Sequence, residues 1–234
     1  MTASDAVRER QTTDLTVIRA RRVCKSFGRV PVLRGVDLAV KRGDSTAITG
    51  PSGSGKSSLM ALLGLLAHRD SGELTILGVD VPLRPSSRLI AQHRHRMAWL
   101  PQLPMAWPGR TCLDNALLGL RQRATVTEAD VQVAAELFDR LGIGHLTGRD
   151  VSVLSGGELQ KVALVRALVV RPDIILADEP TASLDGASTH AVIDALTNAA
   201  QLSTLVVASH DPAVTGACTT VITMRDGRVG PGPS

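Results

Sequence analysis

One eight-residue pattern constrains the fold of this chain more than any other feature. Residues 50–57 read Gly-Pro-Ser-Gly-Ser-Gly-Lys-Ser, after an apolar segment at Ser45–Thr49 and before leucines at helical spacing over about 56–66. Glycines at this spacing let backbone N–H groups converge on phosphate oxygens, and the N-terminus of the following helix adds partial positive charge. A strand, such a loop and a helix in this order predict an α/β fold with a phosphate-binding loop.

The phosphate loop also predicts roles for its side chains. We expect the Lys56 amine to reach the β- and γ-phosphates of a nucleoside triphosphate, and the Ser57 hydroxyl to ligate Mg²⁺. The residues expected to contact the nucleotide here are Gly50, Pro51, Ser52, Gly53, Ser54, Gly55, Lys56, Ser57 and Ser58. The alternative is a glycine-rich turn with an exposed lysine, which the flanking strand and helix patterns disfavour.

Two adjacent carboxylates follow a second apolar segment. Asp178 and Glu179 come directly after Asp173–Ala177, which is typical of a buried strand. Sheets of the α/β class bind ligands at the carboxyl ends of their strands. We therefore expect Asp178 to hold Mg²⁺ and Glu179 to act as general base on the water that attacks the γ-phosphate. The alternative is a strand that simply leaves its last acidic residues in solvent.

Apolar patterning along the rest of the chain alternates between strand and helix. Val131, Ala134, Ala135 and Phe138 share one face at helical spacing within the helical region Thr111–Leu141. Further helices are expected at Ile90–Arg96 and Gly156–Val170, and strands at Leu15–Val23, Val30–Leu33, Val36–Val40, Glu73–Leu77, Met97–Leu100, Thr204–Ser209 and Val221–Met224.

This order of elements predicts the domain organisation. The first three strands, with a turn near Gly35 between the second and third, indicate a small antiparallel sheet. The alternation that follows indicates an α/β core with a helical insertion at about 103–160. We expect a polar tail over 1–14, a single domain over 15–229 and a short tail over 230–234.

Composition excludes several other classes of protein. The 234 residues carry a net charge of +4, but the basic residues are spread along the chain, so we expect no nucleic-acid partner. The three cysteines are widely spaced, which is typical of reduced thiols and not of a disulfide framework or zinc site. The longest apolar run, 59–67, is about half of what a membrane span needs, and the N-terminal residues are polar. We therefore expect a soluble, cytoplasmic chain.

A glycine pair at the start of the helix expected at Gly156–Val170 forms another motif. Residues 154–160 read Leu-Ser-Gly-Gly-Glu-Leu-Gln, with Ser155 at the N-cap and Glu158 three residues later. This spacing predicts a capping box, and the glycines leave the helix N-terminus free of obstructing side chains. Such a helix start is an anion site, although a well-capped helix with no further role has the same pattern.

The order of these motifs resembles that of ABC-transporter ATPase subunits over about residues 17–229. The sequence presents the phosphate loop, then LSGGE, LADEPT, SLD and SHD in that family's order. The resemblance implies a P-loop NTPase fold, in which a RecA-like core carries an antiparallel β subdomain and an inserted helical subdomain. It also implies a head-to-tail dimer, homomeric or heteromeric, with ATP between one subunit's phosphate loop and the other's signature helix. The residues that this would bring to the partner's ATP are Ser155, Gly156, Gly157 and Glu158.

The resemblance also assigns roles to single residues. Phe27 matches the aromatic residue that stacks on adenine, although a core phenylalanine is the alternative. Gln102 matches the glutamine that senses the γ-phosphate and Mg²⁺, or else is a polar loop residue. Asp185 matches the loop that crosses to the partner subunit, and His210 matches a catalytic histidine at the γ-phosphate. Together with Lys56 and Glu179, Gln102 and His210 complete the expected catalytic set.

The chain departs from the family pattern at three places. Ser58 replaces a threonine, Glu158 replaces a glutamine, and the segment after Gln102 is rich in proline, which leaves its permease contact open. The resemblance is to the subunits of lipoprotein-release and macrolide-export systems. It implies that the subunit drives a separate permease, for export or extraction, from the inner face of the cell membrane. One alternative is an ATPase that regulates a membrane partner without transport. A nucleic-acid-handling relative is disfavoured, because 234 residues hold neither a long coiled coil nor two ATPase halves.

Overall fold

The computed structural model describes residues 15–122, 125–182 and 184–231. Its elements, in chain order, are β1 (Thr16–Phe27), β2 (Val30–Lys41), β3 (Ser45–Thr49), α1 (Lys56–Leu63), β4 (Ser71–Ile76), β5 (Val79–Asp80), α2 (Ser87–Arg94), β6 (Met97–Leu100), α3 (Cys112–Ala116), α4 (Leu118–Arg121), α5 (Glu128–Arg140), α6 (Gly156–Leu168), β7 (Ile174–Asp178), α7 (Gly186–Ala200), β8 (Thr204–Ala208), α8 (Pro212–Gly216), β9 (Thr220–Arg225) and β10 (Arg228–Pro231). Within these ranges no helix is long and apolar enough to cross a membrane.

A six-stranded sheet forms the centre of the structure. Its strand order is β10-β9-β3-β8-β7-β6, and every neighbouring pair is parallel except β10 with β9. Strands β7 and β8 are buried along their whole length, which accounts for their almost continuous apolar sequences. The parallel order places the carboxyl ends of β3, β8, β7 and β6 along one edge of the sheet, where the expected site residues follow.

The two faces of this sheet belong to separate hydrophobic cores. Ile175 and Val207 face a core shared with α3, α5, α6 and α7. Their chain neighbours Leu176 and Val206 face a second core, built from α1 and the strands of a four-stranded sheet. Because side chains alternate across a strand, each short buried strand joins both cores and fixes the sheet between two layers.

The predicted antiparallel sheet is present, with strand order β2-β1-β4-β5. The prediction of a turn near Gly35 was wrong, because β2 continues without interruption from Val30 to Lys41. Val23 pairs with Val36 and Cys24 with Arg34, so Gly35 is the extra residue of a β-bulge, at a φ of +74°. Glycine adopts this left-handed conformation at little cost, so a bulge keeps the strand paired where a turn was expected.

The helices also differ from expectation at their limits. The helix after the phosphate loop ends at Leu63 and not near residue 66, because Gly64 caps it and Leu65 turns left-handed with a φ of +57°. The region Thr111–Leu141 contains three helices, α3 to α5, and α6 ends at Leu168 and not at the expected Val170. Val131 is 37% exposed, because the buried positions of α5 start about one turn later, at Ala134.

The last strand, β10, extends into the expected C-terminal tail. A turn at Asp226–Gly227, with both φ values positive, folds the chain back so that β10 pairs with β9. Gly230 pairs with Thr223 and Pro231 with Ile222. Pro231 is tolerated because it lies at the end of an edge strand.

A buried asparagine joins the proline-rich segment after Gln102 to helix α3. Asn115 is fully buried, and its Oδ1 accepts a hydrogen bond of 2.7 Å from the Trp107 backbone N–H. Its Nδ2 donates to the carbonyl oxygens of Trp107 at 3.2 Å and Thr111 at 3.1 Å. One side chain therefore replaces the backbone pairing that this segment lacks.

We expect Asn115→Ala to lower the free energy of unfolding by about 2 kcal/mol, because it removes the hydrogen bonds between a fully buried side chain and the Trp107 backbone. The exposed asparagine on α7, Asn198, is the matched control, and Asn198→Ala should change the free energy of unfolding by less than about 0.5 kcal/mol. Denaturant titration of both variants measures the difference. Equal losses would show that Asn115 does not hold this segment.

Candidate functional site

The phosphate loop wraps between the end of β3 and the start of α1. Gly50 has a φ of +141°, and a Cβ at this position would overlap the backbone oxygen of Met224 on β9. The loop is held from outside by a hydrogen bond of 3.1 Å from the Gly227 backbone N–H to the Ser54 oxygen. The turn between β9 and β10, which the sequence did not predict, thus helps to set the shape of the loop.

The Lys56 side chain lies along the inside of this loop. Its Nζ donates hydrogen bonds to the carbonyl oxygens of Gly50, at 2.8 Å, and Pro51, at 3.2 Å. Gly55, which precedes α1, offers no side chain to cap the helix. An ammonium group and an uncapped helix N-terminus therefore face the same loop, as an anion site requires. The alternative of an exposed lysine is wrong, because Lys56 is 9% exposed.

Asp178 lies at the end of β7, behind the phosphate loop. It is 5% exposed, and its Oδ1 is buried without a hydrogen-bond partner among the described residues. Burial raises the pKa of Asp178, whereas a hydrogen bond with the Ser57 side chain opposes that rise. The chain thus keeps the Asp178 carboxylate in an environment that disfavours its charge. The group lies next to the Ser57 hydroxyl, which is expected to bind the same Mg²⁺ ion.

Glu179 is held in place by its backbone and by two side chains from the loop after β8. Its φ is +47°, a left-handed conformation, and its N–H donates to the Ala208 oxygen at 2.8 Å. His210 Nδ1 lies 3.0 Å from both carboxylate oxygens, and the Ser209 hydroxyl donates to Oε2 at 3.4 Å. A carboxylate fixed in this way, 9% exposed, has the geometry of a positioned general base.

These groups surround one open pocket of about 590 Å³. The expected site residues that line it are Gly50, Pro51, Ser52, Gly53, Gly55, Lys56, Ser57, Ser58, Gln102, Glu179 and His210. Ser54 and Asp178 are buried and do not line the pocket. Residues from the carboxyl ends of β3, β6, β7 and β8 thus meet around one space that can hold the phosphates of a nucleotide.

The signature motif lies outside this pocket. The Ser155 hydroxyl accepts a hydrogen bond of 3.3 Å from the Glu158 N–H, and the Glu158 carboxylate accepts one of 2.8 Å from the Ser155 N–H. The predicted capping box is therefore confirmed, and its hydrogen bonds lower the pKa of Glu158. A Cβ added at Gly156 would meet nothing within 4 Å, so this helix start is open on its outer side, and Gly157 is the next residue of the same turn.

Asp185 and Phe27 also lie apart from the residues that line the pocket. Asp185 caps α7, accepting a hydrogen bond of 2.7 Å from the Ser188 N–H, which lowers its pKa. Residue 183 of the expected crossing loop lies outside the described residues. Phe27 ends β1 and is 55% exposed, so the alternative of a core phenylalanine is wrong.

Two residues at or beside the pocket escaped the sequence interpretation. Ser209 is fully buried and contacts Glu179, and its place at the end of an apolar strand beside His210 was the available signal. Val32 lines the pocket from β2, which belongs to the other sheet. No local pattern marks Val32, because only the packing of the two sheets brings it to the phosphate loop.

The oxygens around Asp178 fit a Mg²⁺ ion. No group of three or more His, Cys, Asp or Glu side chains within 15–122, 125–182 and 184–231 is arranged to hold a metal. A Mg²⁺ site does not need three such side chains, since one carboxylate together with hydroxyl, water and substrate phosphate oxygens completes the coordination of the ion. Such a set is available here. Among the described residues the Asp178 Oδ1 is buried without a partner, the Ser57 hydroxyl binds the same side chain, and Gln102 lines the pocket together with Ser57.

The fold and the pocket together define the class of this protein, that of the P-loop nucleoside triphosphatases. The strand-loop-helix unit and the two carboxylates at the end of a neighbouring parallel strand are the parts on which phosphoryl transfer in this class depends. The profile of the ABC transporter family matches residues 33–182, and the chain belongs to that family. It is an ATP-binding subunit that hydrolyses ATP.

The relatives also confirm the expected subgroup resemblance. The lipoprotein-releasing system ATP-binding protein LolD of Porphyromonas gingivalis is 38% identical over 216 residues, which are 90% of this chain and 97% of that relative. The LolD of Shewanella oneidensis is 38% identical over 84% of this chain and 86% of its own. A dimeric post-hydrolysis structure of the ATP-binding cassette MJ0796 with ADP and Pi has a TM-score of 0.84 at 28% identity, over 93% of this chain and 99% of that one.

The two aspartates that flank β7 should respond to pH in opposite ways. Burial raises the pKa of Asp178, so its ionisation costs stability as pH rises above about 4. Asp173 accepts a hydrogen bond of 2.7 Å from Arg96, which lowers its pKa, so its ionised form stabilises the fold. Without nucleotide, Asp178→Asn should raise the melting temperature at pH 7 and Asp173→Asn should lower it.

Both differences should shrink as pH falls through about 4 toward 3. Asp178 is then protonated in the folded and the unfolded chain, and the unfolded chain takes up a proton at Asp173 that the folded chain does not. Thermal melts of the two variants and the wild-type chain across this range provide the measurement. A lower melting temperature for Asp178→Asn at pH 7 would show that the Asp178 charge is already compensated by the protein.

Proposed function

We propose that this chain binds ATP with Mg²⁺ in the phosphate-loop pocket and hydrolyses it as half of a head-to-tail dimer that drives a separate membrane permease. The proposal rests on the positions of two groups of residues. The phosphate loop, Glu179 and His210 share one pocket, whereas the open helix start at Ser155 lies outside it. Each subunit thus carries one half of a phosphate site at its phosphate loop and the other half at Ser155. A complete site would form only when two subunits combine.

The phosphate loop and Lys56 would hold the triphosphate. The ammonium group, which donates to two loop carbonyl oxygens, would turn to the β- and γ-phosphates, and the N–H groups of the loop would donate to their oxygens. The exposed face of Phe27 would receive the adenine ring by stacking. Bound Mg²⁺ would neutralise charge on the β- and γ-phosphate oxygens, with Asp178, Ser57 and Gln102 as its protein ligands.

Glu179 would take the proton from the attacking water. Its carboxylate is fixed by His210 and Ser209, so it is aimed before substrate arrives and little reorientation is needed during the reaction. His210, with a side chain that is 73% exposed, would contact the γ-phosphate on the side of the pocket that meets solvent. Lys56 and the N-terminus of the partner's signature helix would stabilise the charge that develops on the γ-phosphate.

The start of α6 would close the site of the second subunit. Gly156 and Gly157 carry the first N–H groups of this helix, which makes it an anion site apart from the phosphate-loop pocket. The similarity to the dimeric MJ0796 cassette supports this arrangement. Asp185 would then lie near the contact between the subunits, in a homodimer or a heterodimer.

The exposed segment after Gln102 would contact the permease. Leu103, Met105 and Trp107 are 78%, 77% and 56% exposed, an unusual cluster of large apolar side chains. The hydrogen bonds of Asn115 fix the end of this segment, so movement of Gln102 with the γ-phosphate would be transmitted to it. By analogy with the LolD relatives, we propose an extraction or export system with the subunit at the cytoplasmic face of the membrane.

Glu179→Gln should keep ATP binding and lower turnover about 100-fold or more, because the amide preserves the shape of the side chain but cannot accept a proton. Glu136→Gln, at an exposed position of α5, is the matched control and should hydrolyse ATP at the wild-type rate. Steady-state phosphate release compares the variants. Near-normal turnover by Glu179→Gln would remove Glu179 from the role of general base.

Mixing two inactive variants tests the shared site directly. A Ser155→Arg subunit should block the ATP site at its partner's phosphate loop and keep an intact phosphate loop of its own. A Lys56→Ala subunit should have a disabled phosphate loop and an intact helix start at Ser155. Each variant alone should be inactive, whereas a mixed dimer would have both lesions in one composite site and an intact second site. We expect the mixture to recover ATPase activity.

Crosslinking shows whether mixed dimers form, and Lys161→Ala, which removes another lysine, should remain active throughout. No recovered activity despite crosslinked mixed dimers would contradict a site shared between subunits. Activity of Ser155→Arg alone at the wild-type rate would contradict it as well.

A further inference from the structure

We propose that Lys25 and Asp70 are positioning residues that orient Phe27 for the adenine ring. The inference rests on the proposed role of Phe27 as the stacking surface. The Lys25 ammonium lies over the Phe27 ring, 5.4 Å from its centroid, and Asp70 holds that ammonium with an ion pair of 3.1 Å. The Lys25 ammonium thus covers one face of the Phe27 ring, and the adenine base would stack on the opposite face.

Asp70 contacts the three residues that precede Phe27. Its backbone N–H donates to the Cys24 oxygen at 2.8 Å, its Oδ1 accepts from Lys25 Nζ, and its Oδ2 accepts from the Ser26 N–H at 2.6 Å. These hydrogen bonds lower the pKa of Asp70, so the carboxylate stays ionised at neutral pH. One aspartate therefore fixes both the backbone and the cation next to the ring.

The position of Asp70 is set by its neighbour Arg69. The Arg69 side chain is buried and donates to the carbonyl oxygens of Gly72 at 3.0 Å, Val81 at 2.6 Å and Pro82 at 3.2 Å. This segment follows α1, the helix that begins at the phosphate loop. The polypeptide that holds the phosphates thus continues, through an anchored turn, to the aspartate that holds the stacking residue.

Phe27 needs such support, because it is exposed at the end of a strand and little apolar packing restricts its ring. A cation within about 6 Å of a ring centroid favours one ring orientation, since it is attracted to the electron-rich face. At the other face, a base then meets a ring that has already lost most of its rotational freedom. Lys25 would therefore strengthen binding of the base and leave binding of the phosphates unchanged.

The test compares ADP with inorganic pyrophosphate, which lacks the base, by calorimetric titration of the full chain. Lys25→Met, which keeps the apolar stem, should raise the Kd for ADP about threefold and leave the Kd for pyrophosphate unchanged. Asp70→Asn should act in the same direction, and Lys25→Arg should preserve ADP affinity. Lys41→Met, at the opposite end of the β1–β2 pair, is the matched control and should bind both ligands normally.

Phe27→Ala separates this inference from the role of Phe27 itself. It should raise the Kd for ADP about tenfold, and adding Lys25→Met to it should cause no further loss, because Lys25 acts through the ring. If Phe27→Ala leaves ADP affinity unchanged, neither the stacking role nor the positioning role holds. If Phe27→Ala weakens ADP but Lys25→Met does not, or weakens ADP and pyrophosphate equally, or adds fully to Phe27→Ala, only the positioning role is overturned.

Discussion

Parallel pairing of β3, β8 and β7 is the constraint on which the rest of the structure depends. It brings Gly50, Glu179 and His210 to one sheet edge, although more than a hundred residues separate the first from the other two. The pairing is possible because both faces of these strands are buried, in one core with the helices and in another with the second sheet. The pocket is therefore a consequence of how the two cores enclose the sheet.

The pocket is built at some cost to the fold. Asp178 has a buried oxygen with no hydrogen-bond partner in the part of the chain that the structure describes. Glu179 adopts a left-handed backbone conformation that is unfavourable for a residue with a side chain. Asp178 ends a buried strand and Glu179 directly follows it, where tightly packed neighbours can hold them. The stability that the surrounding cores provide thus keeps two carboxylates in unfavourable positions beside the phosphate loop.

Local signals predicted the parts of this site that depend on local geometry. The phosphate loop, the capping box at Ser155 and the buried strand before Asp178 follow from residue spacing alone, and the structure has them. The bulge at Gly35, the pairing of β10 and the contact of Ser209 with Glu179 depend on partners distant in the sequence, which spacing does not reveal. The hydrogen bonds of Asp70 with the end of β1 belong to the same group, because 44 residues separate Asp70 from Ser26.

The central claim is that each phosphate site needs two chains. Glu179→Gln protein, purified with and without ATP and Mg²⁺, tests it by light scattering combined with measurement of the bound nucleotide. The claim predicts a monomer without ATP, and with ATP a dimer that retains two ATP molecules, one for each phosphate loop. A monomer that retains ATP, or a dimer that forms equally well without nucleotide, would contradict it.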